Sequence, residues 1–108
     1  MPQLTLTQEH KGKSAEARQG DKIVIQLKEN PTTGYRWTIE HLDQAILAVQ
    51  SSDFSLAPGS GIGGGGVRLF VLEAKQTGTT RLQLKLWRDW QGDSTIIERF
   101  DVTLDIRS

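Results

Sequence analysis

Alternation of apolar and polar side chains constrains this chain more than any other feature of its sequence. In segment 82–87 every second residue is leucine, and the positions between them hold Gln83, Lys85 and Trp87. Such a period of two predicts a β-strand with one face in a core and the other in water. The same pattern recurs in segments 23–28, 35–40, 67–71 and 100–107, and more weakly in 3–7 and 47–52.

Turn-forming residues separate these segments, so the strands are short and closely connected. Gly, Pro, Asn and Asp cluster between them, and segment 42–47, the one helical candidate, is too short to predict as a helix. About seven such strands predict an all-β fold, an antiparallel β-sandwich, with a β-barrel as second choice. The 108 residues fit one domain, residues 1–108.

Charge and composition argue against several partners. Lys and Arg together number 13, as do Asp and Glu, and this balance argues against nucleic acid and anionic membranes, which bind clustered cations. No apolar run approaches the roughly 20 residues of a membrane helix. The N-terminus lacks the apolar segment of a signal peptide. We expect a periplasmic or secreted protein if such a peptide has been removed, and a cytoplasmic one otherwise.

The residues that carry most enzyme chemistry are absent or isolated. There is no cysteine, which excludes disulfides, thiolate catalysis and cysteine-ligated zinc. The two histidines, His10 and His41, lie in no metal-binding motif, and no nucleophile elbow is present. The acidic residues are spread singly along the strands. The sequence therefore predicts a binding protein with no catalytic residues, metal or cofactor.

Strand parity brings three unusual connections to one end of the predicted sandwich. If each strand crosses the sandwich once, the connections after the second, fourth and sixth strands share an end. We call them the first loop (residues 30–34), the second loop (residues 57–66) and the third loop (residues 88–93). Special loops clustered on a rigid scaffold are typical of binding sites.

The first loop has the chemistry of a preorganised projection. Pro31 fixes its own φ and biases Asn30 toward extended backbone, and Gly34 permits a positive φ. The β-branched Thr32 and Thr33 are stiff at χ1 and present hydroxyl and methyl groups at the tip. Taken alone, the segment is also compatible with an ordinary turn between strands.

The second and third loops differ in chemistry from the first loop. Residues 58–66 include six glycines in nine positions, which let a backbone approach a partner closely but also suit a flexible connector. The third loop carries Arg88, Asp89 and Trp90, and exposed Trp and Arg are favoured at interfaces. We assign Trp90 to a partner and expect Trp87 to cap the core.

The order of these motifs resembles the chagasin family of inhibitors of papain-like cysteine peptidases. The resemblance rests on residues 30–35, the glycine run, residues 88–90 and Glu98, Arg99 and Phe100 in the last strand. It implies an immunoglobulin-like sandwich without disulfides that inhibits enzymes of the cathepsin L type reversibly, without being cleaved. It also implies that the first loop enters the catalytic centre and the other two embrace the cleft walls.

The resemblance implies a role in peptidase binding for Asn30, Pro31, Thr32, Thr33, Gly34, Gly63, Gly64, Gly65, Gly66, Arg88, Asp89 and Trp90. Thr32 would lie nearest the catalytic cysteine. Trp90 would stack on an aromatic residue of the peptidase, and Arg88 would brace its loop or reach an acidic rim. Asp89 stands where the family usually has proline. The glycine motif also fits residues 61–64, but 63–66 is preferred for its distance to Phe70.

The sequence thus predicts a non-enzymatic peptidase inhibitor that is monomeric when free. The alternative is an immunoglobulin-like adhesion or carbohydrate-binding module that uses the same loops. Such a module would carry several exposed aromatic residues on a flat face. A hydrolase with a cryptic site is a weaker third possibility.

Overall fold

The computed structural model describes residues 3–56 and 65–108, which form two four-stranded sheets. The eight strands are β1 (Gln3–Thr7), β2 (Lys13–Arg18), β3 (Lys22–Glu29), β4 (Arg36–His41), β5 (Leu47–Leu56), β6 (Gly66–Ala74), β7 (Gly78–Trp87) and β8 (Glu98–Arg107). Single-turn 3-10 helices lie at Gln8–His10, Pro31–Thr33 and Asp93–Thr95. Over the described ranges, the structure has no helix of the length and apolarity needed to cross a membrane.

The two sheets pack face to face, which confirms the predicted sandwich. One sheet has the order β1-β3-β6-β5 and the other β2-β8-β7-β4. Most neighbours are antiparallel, but β1 pairs with β3 and β2 with β8 in parallel. The parallel pairs arise because the chain leaves the first sheet after β1, turns through Gln8–His10, and enters the second sheet as β2.

The structure has one strand more than the sequence pattern predicts. Strand β2 was missed because its residues are mostly polar and only Ala17 is buried, so it lacks an alternating apolar set. Segment 42–47 forms a turn, in which the backbone N–H groups of Ile46 and Leu47 donate to the carbonyl oxygen of Asp43.

The core lies between the sheets and is built largely by the predicted alternating positions. Its buried residues are Leu6, Ala17, Ile23, Ile25, Leu27, Trp37, Leu47, Phe70, Leu72, Ala74, Leu82, Leu84, Phe100, Val102, Leu104 and Ile106. In β6 the predicted set Val67, Leu69 and Val71 is wrong, because that strand turns Phe70 and Leu72 inward instead. Trp37 is the tryptophan of this core, and its indole N–H donates to the carbonyl oxygen of Lys28 at 2.9 Å. The expectation that Trp87 caps the core is wrong. Trp87 lies on the outer face of its sheet, where its indole N–H donates to the Thr38 hydroxyl at 3.1 Å.

The strand registers place the predicted loops at one end of the sandwich. Gly66 at the start of β6 pairs with Glu29 at the end of β3 and with Leu56 at the end of β5. In the other sheet, Arg36 at the start of β4 pairs with Trp87 at the end of β7. The connection from β1 to β2 reaches the same end, because the Gln8 side chain accepts a hydrogen bond from Lys28 N–H.

Candidate functional site

The first loop is a single turn of 3-10 helix that its own side chains hold in place. Asn30 caps the turn, since its Oδ1 accepts hydrogen bonds from the Thr32 N–H at 3.0 Å and the Thr32 hydroxyl at 2.7 Å. The Thr33 hydroxyl donates to the Asn30 carbonyl oxygen at 2.8 Å. Gly34 ends the turn with a φ of 79°, a left-handed conformation that favours glycine. Asn30, Thr32, Thr33 and Gly34 are exposed, so the turn is both fixed and accessible.

Arg88 connects the third loop to the first. Its Nε and Nη2 both donate to the Thr33 carbonyl oxygen, at 3.2 and 3.1 Å. The guanidinium also lies over the Tyr35 ring, 4.4 Å from its centroid, with the Trp90 ring at 5.9 Å, and a cation in this position is attracted to the faces of aromatic rings. Arg88 was expected to brace its own loop or to reach an acidic rim, and in the structure its guanidinium hydrogen bonds go to the first loop.

The third loop is organised around Thr95, which the sequence did not single out. The Thr95 hydroxyl accepts from Arg88 N–H at 3.0 Å and lies 2.7 Å from the Gly92 carbonyl oxygen. Gln91 N–H donates to the Arg88 carbonyl oxygen at 2.9 Å, which closes a turn with Asp89 at its second position. Asp89 is exposed, and so is Trp90, with 68% of its surface accessible. The loop therefore presents Trp90 outward from a hydrogen-bonded base.

The structure describes the second loop only at its end nearest β6. Gly63 and Gly64 lie outside the described residues. Gly65 is exposed, and a Cβ added there would meet only the Glu29 carbonyl oxygen, at 4.0 Å. Gly66 is the buried first residue of β6, and a Cβ there would collide with the Phe54 ring and lie 2.6 Å from the Ser55 carbonyl oxygen. A side chain at Gly66 would therefore disturb the fold, because its absence makes room for β5.

A buried ion pair lies beneath the first and second loops. Glu29 is 5% exposed, and its carboxylate accepts from Arg68 Nη2 at 2.7 Å and from Trp37 N–H at 2.7 Å. Arg68 in turn lies over the Phe54 ring, 5.4 Å from its centroid. Because Glu29 precedes the first loop and Trp37 follows it, this carboxylate ties the two ends of the loop together.

The phase of two charged residues in the sequence is a sign of this ion pair. Glu29 continues the inward phase of Ile23, Ile25 and Leu27, and Arg68 shares the phase of Phe70. Charged residues are almost never fully buried unless they are paired. Two opposite charges in phase with the core of neighbouring strands therefore predict an ion pair.

The site offers accessible side chains to a partner. Within residues 3–56 and 65–108, no three His, Asp or Glu side chains come together as metal ligands would. Its accessible groups include the threonines of the first loop, Gly65 and Trp90. These groups lie at one end of the sandwich, beside a first loop that Arg88 braces.

Comparison with known proteins agrees with this geometry. Residues 16–104 match the model of the family described as Chagasin family peptidase inhibitor I42. Chagasin from Trypanosoma cruzi is 34% identical over 105 residues, which cover 92% of this chain and 94% of chagasin.

Solved structures show the same architecture. The crystal structure of the cysteine protease inhibitor EhICP2 from Entamoeba histolytica superposes with a TM-score of 0.85 at 25% identity, covering 97% of this chain and 95% of that one. PbICP-C, solved in complex with falcipain-2, shares the fold with a TM-score of 0.68 at 14% identity, covering 98% of this chain and 90% of that one. By the family match and the identity to chagasin over nearly its full length, this chain belongs to the chagasin family of peptidase inhibitors.

Proposed function

We propose that this protein is a reversible inhibitor of papain-like cysteine peptidases that occludes the active-site cleft with the loop end of its sandwich. The observation that carries the proposal is the exposed turn of the first loop, which Asn30 caps from within and Arg88 braces from the third loop. A partner that binds such a preordered turn does not bear the entropy cost of ordering it. Family membership supports the same activity.

The turn geometry gives a reason why the inhibitor is not consumed. Thiolate attack needs the reacting carbonyl carbon aligned with the sulfur. The peptide groups from Pro31 to Thr33 are instead wound into a 3-10 turn, whose hydrogen bonds to Asn30 oppose unwinding. In this proposal Thr32 lies nearest the catalytic cysteine, with Thr33 beside it, and the loop fills the centre without presenting a peptide bond for cleavage.

The remaining site residues hold or extend this contact. Trp90 stacks on an aromatic residue of the cleft wall, and Arg88 keeps the first loop in place beside it. Gly65 lets the backbone of the second loop approach the opposite wall, with Gly63 and Gly64 continuing that contact. Gly66 acts indirectly, through the packing that joins this loop to the sandwich.

The carbohydrate-binding alternative would use aromatic rings as a flat platform. The outward-facing Trp87 is the residue that such a platform would need. Its ring is already engaged, however, because Lys85 Nζ lies 3.6 Å from the ring centroid and Thr38 accepts its indole N–H. The geometry therefore favours an inhibitor over a carbohydrate-binding module.

An inhibition assay with the pure protein tests the proposal. Hydrolysis of a fluorogenic peptide by papain and by cathepsin L is measured against increasing inhibitor, with recovery of activity after dilution and gel analysis of the inhibitor. We expect saturable inhibition, recovery of the enzyme and an intact inhibitor chain. Full peptidase activity at micromolar inhibitor, or progressive cleavage of the inhibitor, would contradict the proposal.

A further inference from the structure

An exposed isoleucine lies close to the proposed inhibitory loops without belonging to any of them. In the described part of the chain, the exposed large apolar residues are Val49, Trp90 and Ile97, at 44%, 68% and 60%. Single exposed apolar residues are common on protein surfaces. Exposure alone therefore says little, and the surroundings of Ile97 decide what it means.

Ile97 lines an open cavity at the loop end of the sandwich. The cavity has a volume of about 640 Å³. Its walls come from the first loop, from the described end of the second loop and from strand residues. They include Thr33, Gly65, Val67 and Leu86, with Ile97 directly before β8. The backbone of Ile97 is fixed there, since its N–H donates to the Leu86 carbonyl oxygen at 3.0 Å. An apolar opening is thus continuous with the surface that the proposed function assigns to the peptidase.

Residues of the first loop line both this cavity and another, through Asn30 and Thr33 in the former and Gly34 in the latter. The second cavity, of about 510 Å³, is lined by Gly34, Asp89 and Trp90 among others, and the two share only Tyr35 and Glu29. Trp90 therefore borders one of these cavities and Ile97 the other, and each cavity is also lined by residues of the first loop. A peptidase that receives the tip of this loop brings a cleft rim to both sides.

We infer that the peptidase contact extends beyond the three loops to Ile97, which packs against an apolar side chain on the cleft rim opposite the one that Trp90 meets. The inference rests on the proposed function. Its driving force is the removal from water of Ile97 and of the apolar opening beside it. A partner seated on the first loop covers both at once, so this contact needs no rearrangement of the sandwich.

Three substitutions in the full chain test the inference. Ile97→Ser removes the apolar side chain and keeps the backbone hydrogen bond, whereas Ile97→Val keeps most of the apolar surface. Val49→Ser is the matched control, because Val49 is also exposed but lies near the start of β5, whose opposite end pairs with Gly66. The inhibition constant and the association and dissociation rates are measured with papain and cathepsin L, beside the melting temperature of each variant.

We expect Ile97→Ser to raise the inhibition constant about tenfold, mainly through faster dissociation. Ile97→Val should give an intermediate value, Val49→Ser should match the wild type, and melting temperatures should remain close. Wild-type inhibition by Ile97→Ser would overturn the inference while leaving the proposed function intact. Equal weakening by Ile97→Ser and Val49→Ser would also overturn it, and absence of inhibition by the wild type would refute the proposed function itself.

Discussion

The guanidinium of Arg88 donates two hydrogen bonds, of 3.2 and 3.1 Å, to the carbonyl oxygen of Thr33. A side chain of the third loop therefore holds the backbone of the first loop next to the residue proposed to enter the catalytic centre. The forked guanidinium reaches one oxygen with two donors, a geometry that an ammonium group does not reproduce. The brace makes the position of the first loop depend on the third.

Removing this brace should weaken inhibition more than it weakens the fold. We expect Arg88→Ala to raise the inhibition constant about tenfold, or roughly 1.4 kcal/mol, because the first loop must then be ordered on binding. The inhibition constant of Arg88→Lys should lie between those of the wild type and Arg88→Ala. Arg81→Ala is the control, since Arg81 forms an exposed ion pair with Asp101 at 3.2 Å in mid-sheet. Equal inhibition by Arg88→Ala and the wild type would show that the brace is dispensable.

Alternation was sufficient to locate seven strands because each of them buries one face. The same logic could not find β2, whose polar residues cover a sheet edge with only Ala17 buried. It could not give the parallel pairing of β1 with β3 either. Period two locates a strand but does not always identify its inward face, since β6 buries Phe70 and Leu72 rather than Val67, Leu69 and Val71. It also says nothing about which strand lies beside it.

The two described glycines of the second loop should respond differently to a methyl group. Gly66→Ala places a Cβ against the Phe54 ring and 2.6 Å from the Ser55 carbonyl oxygen, so we expect a loss of about 1–3 kcal/mol in the free energy of unfolding. Gly65→Ala has open space and should fold normally while weakening inhibition. Urea unfolding of both variants, beside their inhibition constants, checks this, and equal stability of the two variants would contradict it.

The predictable part of the site was its composition, and the unpredictable part was its internal contacts. The motif residues pointed to the three loops because their turn chemistry is local. The support that Arg88 gives to Thr33 joins residues 55 positions apart, and the support of Thr95 for Arg88 comes from a hydroxyl with no distinctive sequence context. Such contacts depend on how the strands bring the loops together.

The buried pair beneath the loops should show strong coupling between its members. We expect Glu29→Leu to cost about 3–5 kcal/mol of stability, because it leaves the Arg68 guanidinium without its carboxylate. The double variant Glu29→Leu with Arg68→Met should recover much of that loss, since no uncompensated charge remains. Chemical denaturation of wild type, both single variants and the double variant measures the coupling. Additive losses would mean that the 2.7 Å contact contributes little.

Restoring the family's usual proline should rigidify the third loop. Asp89 occupies the second position of the turn closed by Gln91 N–H and the Arg88 carbonyl oxygen, a position that favours proline. In the described residues, Asp89 N–H has no acceptor that proline would forfeit. We expect Asp89→Pro to add about 0.4–1 kcal/mol of stability and to tighten inhibition modestly. A stable variant that inhibits less well would show that the Asp89 carboxylate itself contacts the peptidase.

Position 32 should be sensitive to enlargement for inhibition while contributing little to stability. It is exposed at the tip of the first loop, where its hydroxyl and N–H both bind Asn30 Oδ1, and substitutions at exposed positions usually change stability by less than about 0.5 kcal/mol. Thr32→Ala removes small groups and keeps the backbone bond, so its effect on inhibition should be mild. Thr32→Arg should inhibit far more weakly, because a long cation would have to be buried unpaired at the centre of the cleft. Inhibition constants for papain and melting temperatures of both variants provide the measurement. Undiminished inhibition by Thr32→Arg at an unchanged melting temperature would place the first loop outside the active site.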